Sequence, residues 1–204
     1  MKAATIEPVP ALADLSASDR FGIKGRAAES WLKSVGIDVP TRPNRLIHRD
    51  DGLVVARLGD ADFAFADFGR PVSPELARLR EALEHALPEG CFSVPRADSQ
   101  VAFSLMGEAV TEVLSAVCPA DLRARCFGRG DVLQTRCAGV SALLWNISRD
   151  FARIVVLCDS SVARHQWTSL QGAVISVSNR LDPLYMTGGQ DEHENKSNAK
   201  RQAR

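Results

Sequence analysis

Two stretches of the chain share the pattern that decides the fold: FGIKGRAAESWLKSV, from Phe21 to Val35, and FSLMGEAVTEVLSAV, from Phe103 to Val117. They lie 82 residues apart, and five of their fifteen positions are identical. In each stretch, alternating apolar residues typical of a strand lead to a glycine that permits a tight turn. Apolar residues then recur at i, i+3, i+4 and i+7, which is the spacing of an amphipathic helix. Each stretch therefore predicts a strand that turns sharply into a helix.

The segments that follow these two helices also match in their order. After the first, two apolar runs flank Gly59-Asp60-Ala61-Asp62, which predicts a hairpin, and Ser73-Pro74-Glu75 carries the cap, proline and acid of a helix start. After the second, two apolar runs flank Ser148-Arg149-Asp150, and Asp159-Ser160-Ser161 caps a helix. Each half thus has the order β-α-β-β-α. The sequence predicts an α+β domain of duplicated halves with pseudo-twofold symmetry.

Composition sets the bounds of this domain. Residues 1–19 show no clear periodicity and are predicted to form an N-terminal arm. Residues 186–204 have no large apolar side chain after their first position, so a disordered polar tail is expected there. A single folded domain is therefore predicted for residues 20–185, with halves of about 20–90 and 91–185.

Charge and hydropathy exclude several classes of partner. In the 204 residues, 25 Lys and Arg balance 25 Asp and Glu. A net charge of zero argues against nucleic acid and against anionic membrane surfaces, both of which favour a basic excess. No apolar run approaches the length of a membrane span, and the first twenty residues contain two prolines and no apolar core of a signal peptide. These features favour a cytoplasmic protein.

Cysteine and histidine spacing gives no metal or disulfide pattern. The five cysteines are Cys91, Cys118, Cys126, Cys137 and Cys158. Their odd number and wide spacing contain no CxxC pair, so free buried thiols in a reducing compartment are expected. The four histidines are scattered, and no closed zinc site is predicted.

Familiar catalytic motifs are absent as well. Asp50-Asp51-Gly52 is typical of a turn, since aspartate and glycine are both favoured at turn positions. Gly22-x-x-Gly25 and Gly128-x-Gly130 do not satisfy the patterns of phosphate-binding loops, and there is no GxSxG elbow. His165 lies on a predicted helix and is interpreted as a partly buried histidine. We therefore predict no catalytic, cofactor-binding or metal-binding residue in this chain.

One stretch, residues 119–136, stands apart by its arginines. It leads from the helix of the second half into a strand and combines arginine with an aromatic residue, as protein interfaces do. The candidate subunit-interface residues are Arg123, Arg125, Phe127, Arg129, Gln134 and Thr135. The alternative is a solvated basic loop in which only Phe127 turns inward. Composition leaves both interpretations open.

Several motifs, in order along the chain, resemble those of one family. RFGIKG at residues 20–25, followed by Trp31-Leu32, is similar to an RFGxKGxxAxxWL opening. PNR at residues 43–45 and GLVVARLG at residues 52–59 are similar to a PNR…GGLVARLG segment. Asp121-Leu122-Arg123, Phe127, Gly130 and Gln134-Thr135 are similar to a DLRxxxF…G…xQT stretch. Together, from about residue 14 to 175, they resemble the gamma subunit of heterotetrameric sarcosine oxidase.

The resemblance implies a fold related to the aminomethyltransferase and folate-binding domains. It also implies partners, the alpha, beta and delta subunits of a complex in sarcosine catabolism. That complex oxidises the N-methyl group of sarcosine and passes the one-carbon unit to tetrahydrofolate. FAD, FMN, NAD, zinc and tetrahydrofolate are implied for the partner subunits, and the gamma chain is implied to have no active site of its own.

Two other interpretations remain open. Complexes of the N-methylglutamate dehydrogenase type have a similar small subunit, so the N-methyl substrate is not fixed by the resemblance. A stand-alone folate-binding or aminomethyltransferase-like protein is the other alternative. It would need a carboxylate facing a pterin pocket, and free-standing members of the wider fold are generally longer.

Overall fold

The computed structural model describes residues 10–69 and 73–181. The strands are β1 (Ala11–Asp14), β2 (Arg20–Gly25), β3 (Arg45–His48), β4 (Leu53–Gly59), β5 (Asp62–Asp67), β6 (Cys91–Pro95), β7 (Gln100–Met106), β8 (Val132–Cys137), β9 (Val140–Asn146) and β10 (Arg153–Asp159). The helices are α1 (Ala28–Ser34), α2 (Pro74–Ala86), α3 (Val110–Ser115) and α4 (Ala163–Leu181), the last preceded by a 3-10 turn at Ser160–Val162. The predicted glycine turns lie at Gly25 and Gly107, where positive φ angles of 144° and 112° connect β2 to α1 and β7 to α3.

The strands form two five-stranded antiparallel sheets. Sheet I has the order β3-β4-β5-β2-β6, and sheet II has the order β8-β9-β10-β7-β1. The outer strands β1 and β6 are exchanged, because β1 pairs with β7 of sheet II and β6 pairs with β2 of sheet I. The α+β class with antiparallel sheets is thus confirmed.

The strand content of each half differs from the predicted β-α-β-β-α order. β1, β3 and β6 were not predicted, and β1 occupies part of the stretch assigned to the arm at residues 1–19. All three are short strands at sheet edges with mostly exposed or half-buried residues, so they lack a continuous apolar run. β6 lies in the second predicted half, yet it completes the sheet of the first. The tail predicted for residues 186–204 lies outside the described residues.

Three apolar clusters divide the molecule into helix, sheet, sheet and helix layers. One cluster joins the outer face of sheet I to α1 and α2, and another joins the outer face of sheet II to α3 and α4. The third lies between the sheets. In β4, Leu53 and Val55 face the helices, whereas Val54 and Ala56 face sheet II. Because both faces are buried, the central strands have continuous apolar runs.

Backbone contacts join the two sheets at their β3 and β8 edges. The Leu46 amide donates to the Gly130 carbonyl at 2.8 Å, and the Val132 amide donates to the Asn44 carbonyl at 2.9 Å. An ion pair between Arg45 and Asp131 lies at the same seam. The edges that would otherwise be open on this side are therefore closed against each other.

At the opposite edge, the two loops that carry the exchanged strands meet at a buried arginine. The side chain of Arg20 is 1% exposed and donates five hydrogen bonds of 2.7–3.3 Å to the backbone carbonyls of Leu15, Ser16, Ser18, Ala97 and Gln100. Burial lowers the pKa of Arg20, while the nearby Asp19 opposes that shift. The carbonyl oxygens replace the water that the guanidinium loses.

We predict that Gly22→Ala destabilises the chain by about 1–3 kcal/mol, the usual cost of overpacking. A Cβ atom at Gly22 of β2 would lie 2.5 Å from the Phe63 carbonyl oxygen and 2.9 Å from Arg96 Nε. Gly172→Ala in α4 is the matched control, since nothing lies within 4 Å of its Cβ position. In the control, the free energy of unfolding should rise by about 0.5–1 kcal/mol, because alanine is favoured over glycine within a helix. Urea unfolding measures both, and equal stabilities for the two variants would contradict the packing described here.

Candidate functional site

The arginine-rich loop between α3 and β8 is organised around Asp121. Arg123 donates to this carboxylate from Nε at 2.8 Å and from Nη2 at 2.6 Å, and the Cys126 thiol donates at 3.3 Å. The hydrogen bonds from Arg123 hold the pKa of Asp121 well below its usual range. Arg123, Arg125 and Arg129 are exposed. The loop thus presents three arginines to solvent, with one of them fixed by a local carboxylate.

Phe127 does not belong to this exposed surface. It is buried in the apolar cluster of sheet II, and its carbonyl accepts a hydrogen bond from Asn146 Nδ2 at 3.3 Å. Its assignment as an interface residue is therefore corrected, because a buried ring anchors the loop from inside and has no surface to offer. The alternative in which Phe127 turns inward describes its position.

Gln134 and Thr135 lie on β8, apart from the loop that carries the arginines. The Gln134 Nε2 group donates to Asn44 Oδ1 at 2.7 Å and to the Leu58 carbonyl at 2.6 Å. Its amide therefore joins sheet II to sheet I within this chain. Thr135 is half-buried and lines a groove between the sheets.

This groove was not predicted from the sequence. It has a volume of about 580 Å3 and lies where β2 ends and β5 begins. Lys24, Asp62 and Arg96 line it on the side of sheet I. Leu143, Leu157 and Asp159 are among the residues that line it on the side of sheet II. Polar and apolar groups line the groove to a similar extent, and four of the lining side chains are charged.

The charges on the sheet I side do not cancel. Asp62 accepts from Lys24 Nζ at 3.0 Å and from Arg96 Nη2 at 3.0 Å, so one carboxylate serves two cations. The Arg96 side chain is only 9% exposed, and its Nε has no hydrogen-bond partner in the described part of the chain. Asp159 on the other wall accepts from the Ser161 amide and hydroxyl, which lowers the pKa of Asp159. The Asp159 carboxylate therefore caps the 3-10 turn that precedes α4, where a negative charge is favourable.

The other end of the space between the sheets is filled by arginine contacts. Arg149 Nη2 donates to the His48 carbonyl at 2.9 Å, and Arg153 Nη2 donates to the Phe68 carbonyl at 3.3 Å. His48 Nδ1 lies 3.3 Å from the Ile147 carbonyl oxygen. Burial, followed by the charge of Arg149, lowers the pKa of His48. This end holds the sheets together, whereas the groove end is open.

The described side chains show no arrangement suited to nucleophilic or metal chemistry. Burial raises the pKa of Cys137 and of Cys158 to about 11, so both thiols stay protonated at neutral pH. Cys126 is exposed, which corrects the expectation that all five thiols are buried. Among residues 10–69 and 73–181, no three His, Cys, Asp or Glu side chains are grouped to hold a metal ion. His165 is exposed, with Nε2 2.8 Å from the Ala138 carbonyl oxygen.

Comparison with known proteins identifies the fold. No protein-family model matches the sequence, and no curated protein matches it significantly. A chain of the heterotetrameric sarcosine oxidase from Corynebacterium sp. U-96, in complex with pyrrole 2-carboxylate, matches with a TM-score of 0.70 and 23% identity. The match covers 83% of this chain and 86% of that one.

A second match places this fold in a wider class. The glycine cleavage system aminomethyltransferase T from Bartonella henselae matches with a TM-score of 0.54 and 15% identity, over 80% of this chain. This chain spans less than half of the transferase, since only 46% of that chain is covered. The fold is thus one shared with aminomethyltransferase T. More particularly, it is the fold of a chain in heterotetrameric sarcosine oxidase, which confirms the family resemblance at the level of structure. No helix in the described residues is long and apolar enough to cross a membrane.

We predict that His48 makes the chain less stable in mild acid. Because the pKa of His48 is lower in the folded chain than its ordinary value, the unfolded chain binds the proton more readily. The free energy of unfolding therefore falls as the pH drops through about 6.5. In urea titrations at about pH 7.5 and about pH 5.5, His48→Gln should lose less stability than the parent chain. His85→Gln, an exposed histidine on α2, is the control. If the free energy of unfolding of the His48→Gln chain changed with pH as much as that of the parent chain, the prediction would be wrong.

Proposed function

We propose that this chain is the non-catalytic gamma subunit of a sarcosine oxidase-type complex in the cytoplasm. Such a complex oxidatively demethylates sarcosine to glycine and transfers the one-carbon unit to tetrahydrofolate. The observation that carries the proposal is the structural match across most of both chains, 83% of this one and 86% of the sarcosine oxidase chain. Matching over both lengths fits a counterpart subunit better than a shared fragment of a larger enzyme.

The chemistry of the described residues agrees with a supporting role. The buried thiols Cys137 and Cys158 are held protonated, and Asp62 of the groove is occupied by its ion pairs with Lys24 and Arg96. In this proposal the alpha, beta and delta subunits hold FAD, FMN, NAD, zinc and tetrahydrofolate. The gamma chain then contributes surface and rigidity to the oxidoreductase complex.

The proposal includes an origin for the fold by duplication. β3, β4, β5, β2 and β6 of sheet I correspond in order to β8, β9, β10, β7 and β1 of sheet II. The positive-φ glycines Gly25 and Gly107 lie at equivalent turns. These correspondences support two halves related by a pseudo-twofold axis, with their first strands exchanged.

Two alternatives remain. A related N-methyl amino acid dehydrogenase could contain the same subunit, since the fold does not distinguish N-methyl substrates. A stand-alone folate-binding or aminomethyltransferase-like protein is favoured by the fold shared with aminomethyltransferase T. Against it, the chain spans less than half of that transferase.

The first test is assembly. We expect the purified chain to be colourless and inactive alone, and to co-purify with a flavin-containing amine oxidase chain when it is produced with the proteins encoded next to its gene. The measurements are the visible spectrum, the subunit masses and sarcosine oxidation by the isolated complex. A stoichiometric flavin band in the isolated chain would contradict the proposal. Folate-dependent transfer by the chain alone would instead favour the stand-alone alternative.

The arginine-rich loop is the proposed docking surface of this subunit, with Arg123, Arg125 and Arg129 as its exposed residues, whereas Thr135 lies apart from it on β8. Arg123→Ala combined with Arg125→Ala should weaken assembly by about 2 kcal/mol or more, since arginines are frequent anchors of interfaces. Arg78→Ala is the control, because this exposed arginine likewise pairs with a nearby carboxylate, that of Glu75. Titration of the chain into the remaining subunits gives the binding constants. Equal constants for both variants would leave the loop as a solvated surface.

A further inference from the structure

The face of sheet I that turns toward sheet II is left uncovered at its β6 edge. Asp62, Lys24 and Phe92 form one row across β5, β2 and β6, as the strand registers show. The next row contains Ala64, which is buried between the sheets. Directly opposite residues share a face of a sheet, so Phe92 lies on the same face as this buried alanine. Phe92 is nevertheless 68% exposed.

β6 differs from its counterpart in sheet II. β1 occupies the equivalent outer position, but its Leu12 packs into the apolar cluster that includes residues of α4. Ala11 is the β1 residue whose place in the register corresponds to that of Phe92. The large exposed aromatic side chain is therefore found at the β6 edge and not at the β1 edge.

Within the described residues, the outer backbone of β6 is free between its two ends, where the Cys91 amide donates to the Pro88 carbonyl at 3.0 Å and the Pro95 carbonyl accepts from Ser99 Oγ at 2.8 Å. β6 is the outer strand of sheet I, where it pairs with β2 alone among the described strands. An outer strand presents a row of unpaired amide and carbonyl groups that another extended segment can join. Pro95 ends this row, because proline has no amide hydrogen.

Charge at the same place favours an acidic ligand. Lys24 and Arg96 share the single carboxylate of Asp62, which leaves an excess of one positive charge on the sheet I wall. The other carboxylate of the groove, Asp159 on the sheet II wall, is bound by the amide and hydroxyl of Ser161. The nine-tenths-buried Arg96 side chain also keeps Nε without a partner in the described residues. Arginine and lysine beside an exposed aromatic residue are typical anchors of a protein contact.

We propose that β6 and the adjoining groove bind an extended segment of a partner subunit. The segment adds to the outer edge of β6 as a further strand, places an apolar side chain against Phe92 and Val94, and directs an acidic side chain toward Lys24 and Arg96. The free strand edge favours a polypeptide over a small carboxylate, because only a strand uses the unpaired backbone groups. This inference rests on the proposed function, since it names a surface through which the subunit is held.

Phe92→Ala and Lys24→Glu test the surface in the assembled complex. Each should weaken binding of the chain to its partner subunits at least about tenfold. Ile175→Ala is the control for the first, since Ile175 is an apolar residue on α4 that is 53% exposed. Lys33→Glu is the control for the second, since Lys33 is 60% exposed and also pairs with an acid, Glu29. Both test residues are more than half exposed, so the unfolding midpoints should stay close to those of the parent chain.

Hydrogen exchange supplies a second readout. Exchange over residues 91–94 should be slower in the complex than in the free chain, chiefly at the Ser93 amide, because the Cys91 amide already donates to the Pro88 carbonyl and the amides that face β2 are already paired. If the parent chain forms no complex, the proposed function fails and the inference fails with it. If the complex forms but the variants bind like the parent and exchange at residues 91–94 is unchanged, the inference alone is overturned. If the free chain dimerises and Phe92→Ala makes it monomeric, the occupant is a second copy and the partner assignment is overturned.

Discussion

One buried guanidinium binds both loops at the point where the two sheets exchange their outer strands. Arg20 binds the carbonyl oxygens of both loops through which β1 and β6 pass to the other sheet. Among the described residues, no carboxylate accepts a hydrogen bond from Arg20, and the neighbouring Asp19 pairs with Arg80. Five carbonyl contacts compensate for the lost hydration of the charge, and losing the guanidinium would leave several buried carbonyls without a donor. Arg20 thus reinforces, at the crossing point, an exchange that the backbone pairings of β1 with β7 and of β6 with β2 also hold.

The two ends of the space between the sheets have different physical characters. At one end, Arg149 and Arg153 donate to carbonyls of the opposite sheet and fill the gap with hydrogen bonds. At the other end, Lys24 and Arg96 gather around Asp62 and leave a groove of about 580 Å3. If the two halves arose by duplication, this asymmetry is where they have diverged. A surface that breaks the symmetry of a repeat is a reasonable place for specific recognition.

The sequence predicted the parts of the fold that depend on local signals. The glycine turns and the apolar spacing of the helices predicted β2 followed by α1 and β7 followed by α3. These signals come from residues that are close together in the sequence. The edge strands β1, β3 and β6 were not predicted, because most of their residues are exposed or half-buried and give no apolar pattern.

The candidate site shows the same division between local and distant signals. The exposed arginines could be predicted from composition. The burial of Phe127 could not, because composition does not tell whether the ring of a loop residue points toward the core or toward solvent. The cluster of Lys24, Asp62 and Arg96 depends on the register of β2 against β5 and on the turn after β6. Register is a property of strand pairing, and the spacing of residues along the sequence did not predict it here.

The exchanged outer strands also constrain how the chain is made. During synthesis from the N-terminus, β1 emerges first, but its partner β7 begins only at Gln100. Sheet I in turn stays without its outer strand until β6 has been added. Until β7 has been made, the nascent chain therefore carries the β1 segment without its partner strand. Because neither half contains all the strands of its own sheet, both sheets are completed only when both halves are present.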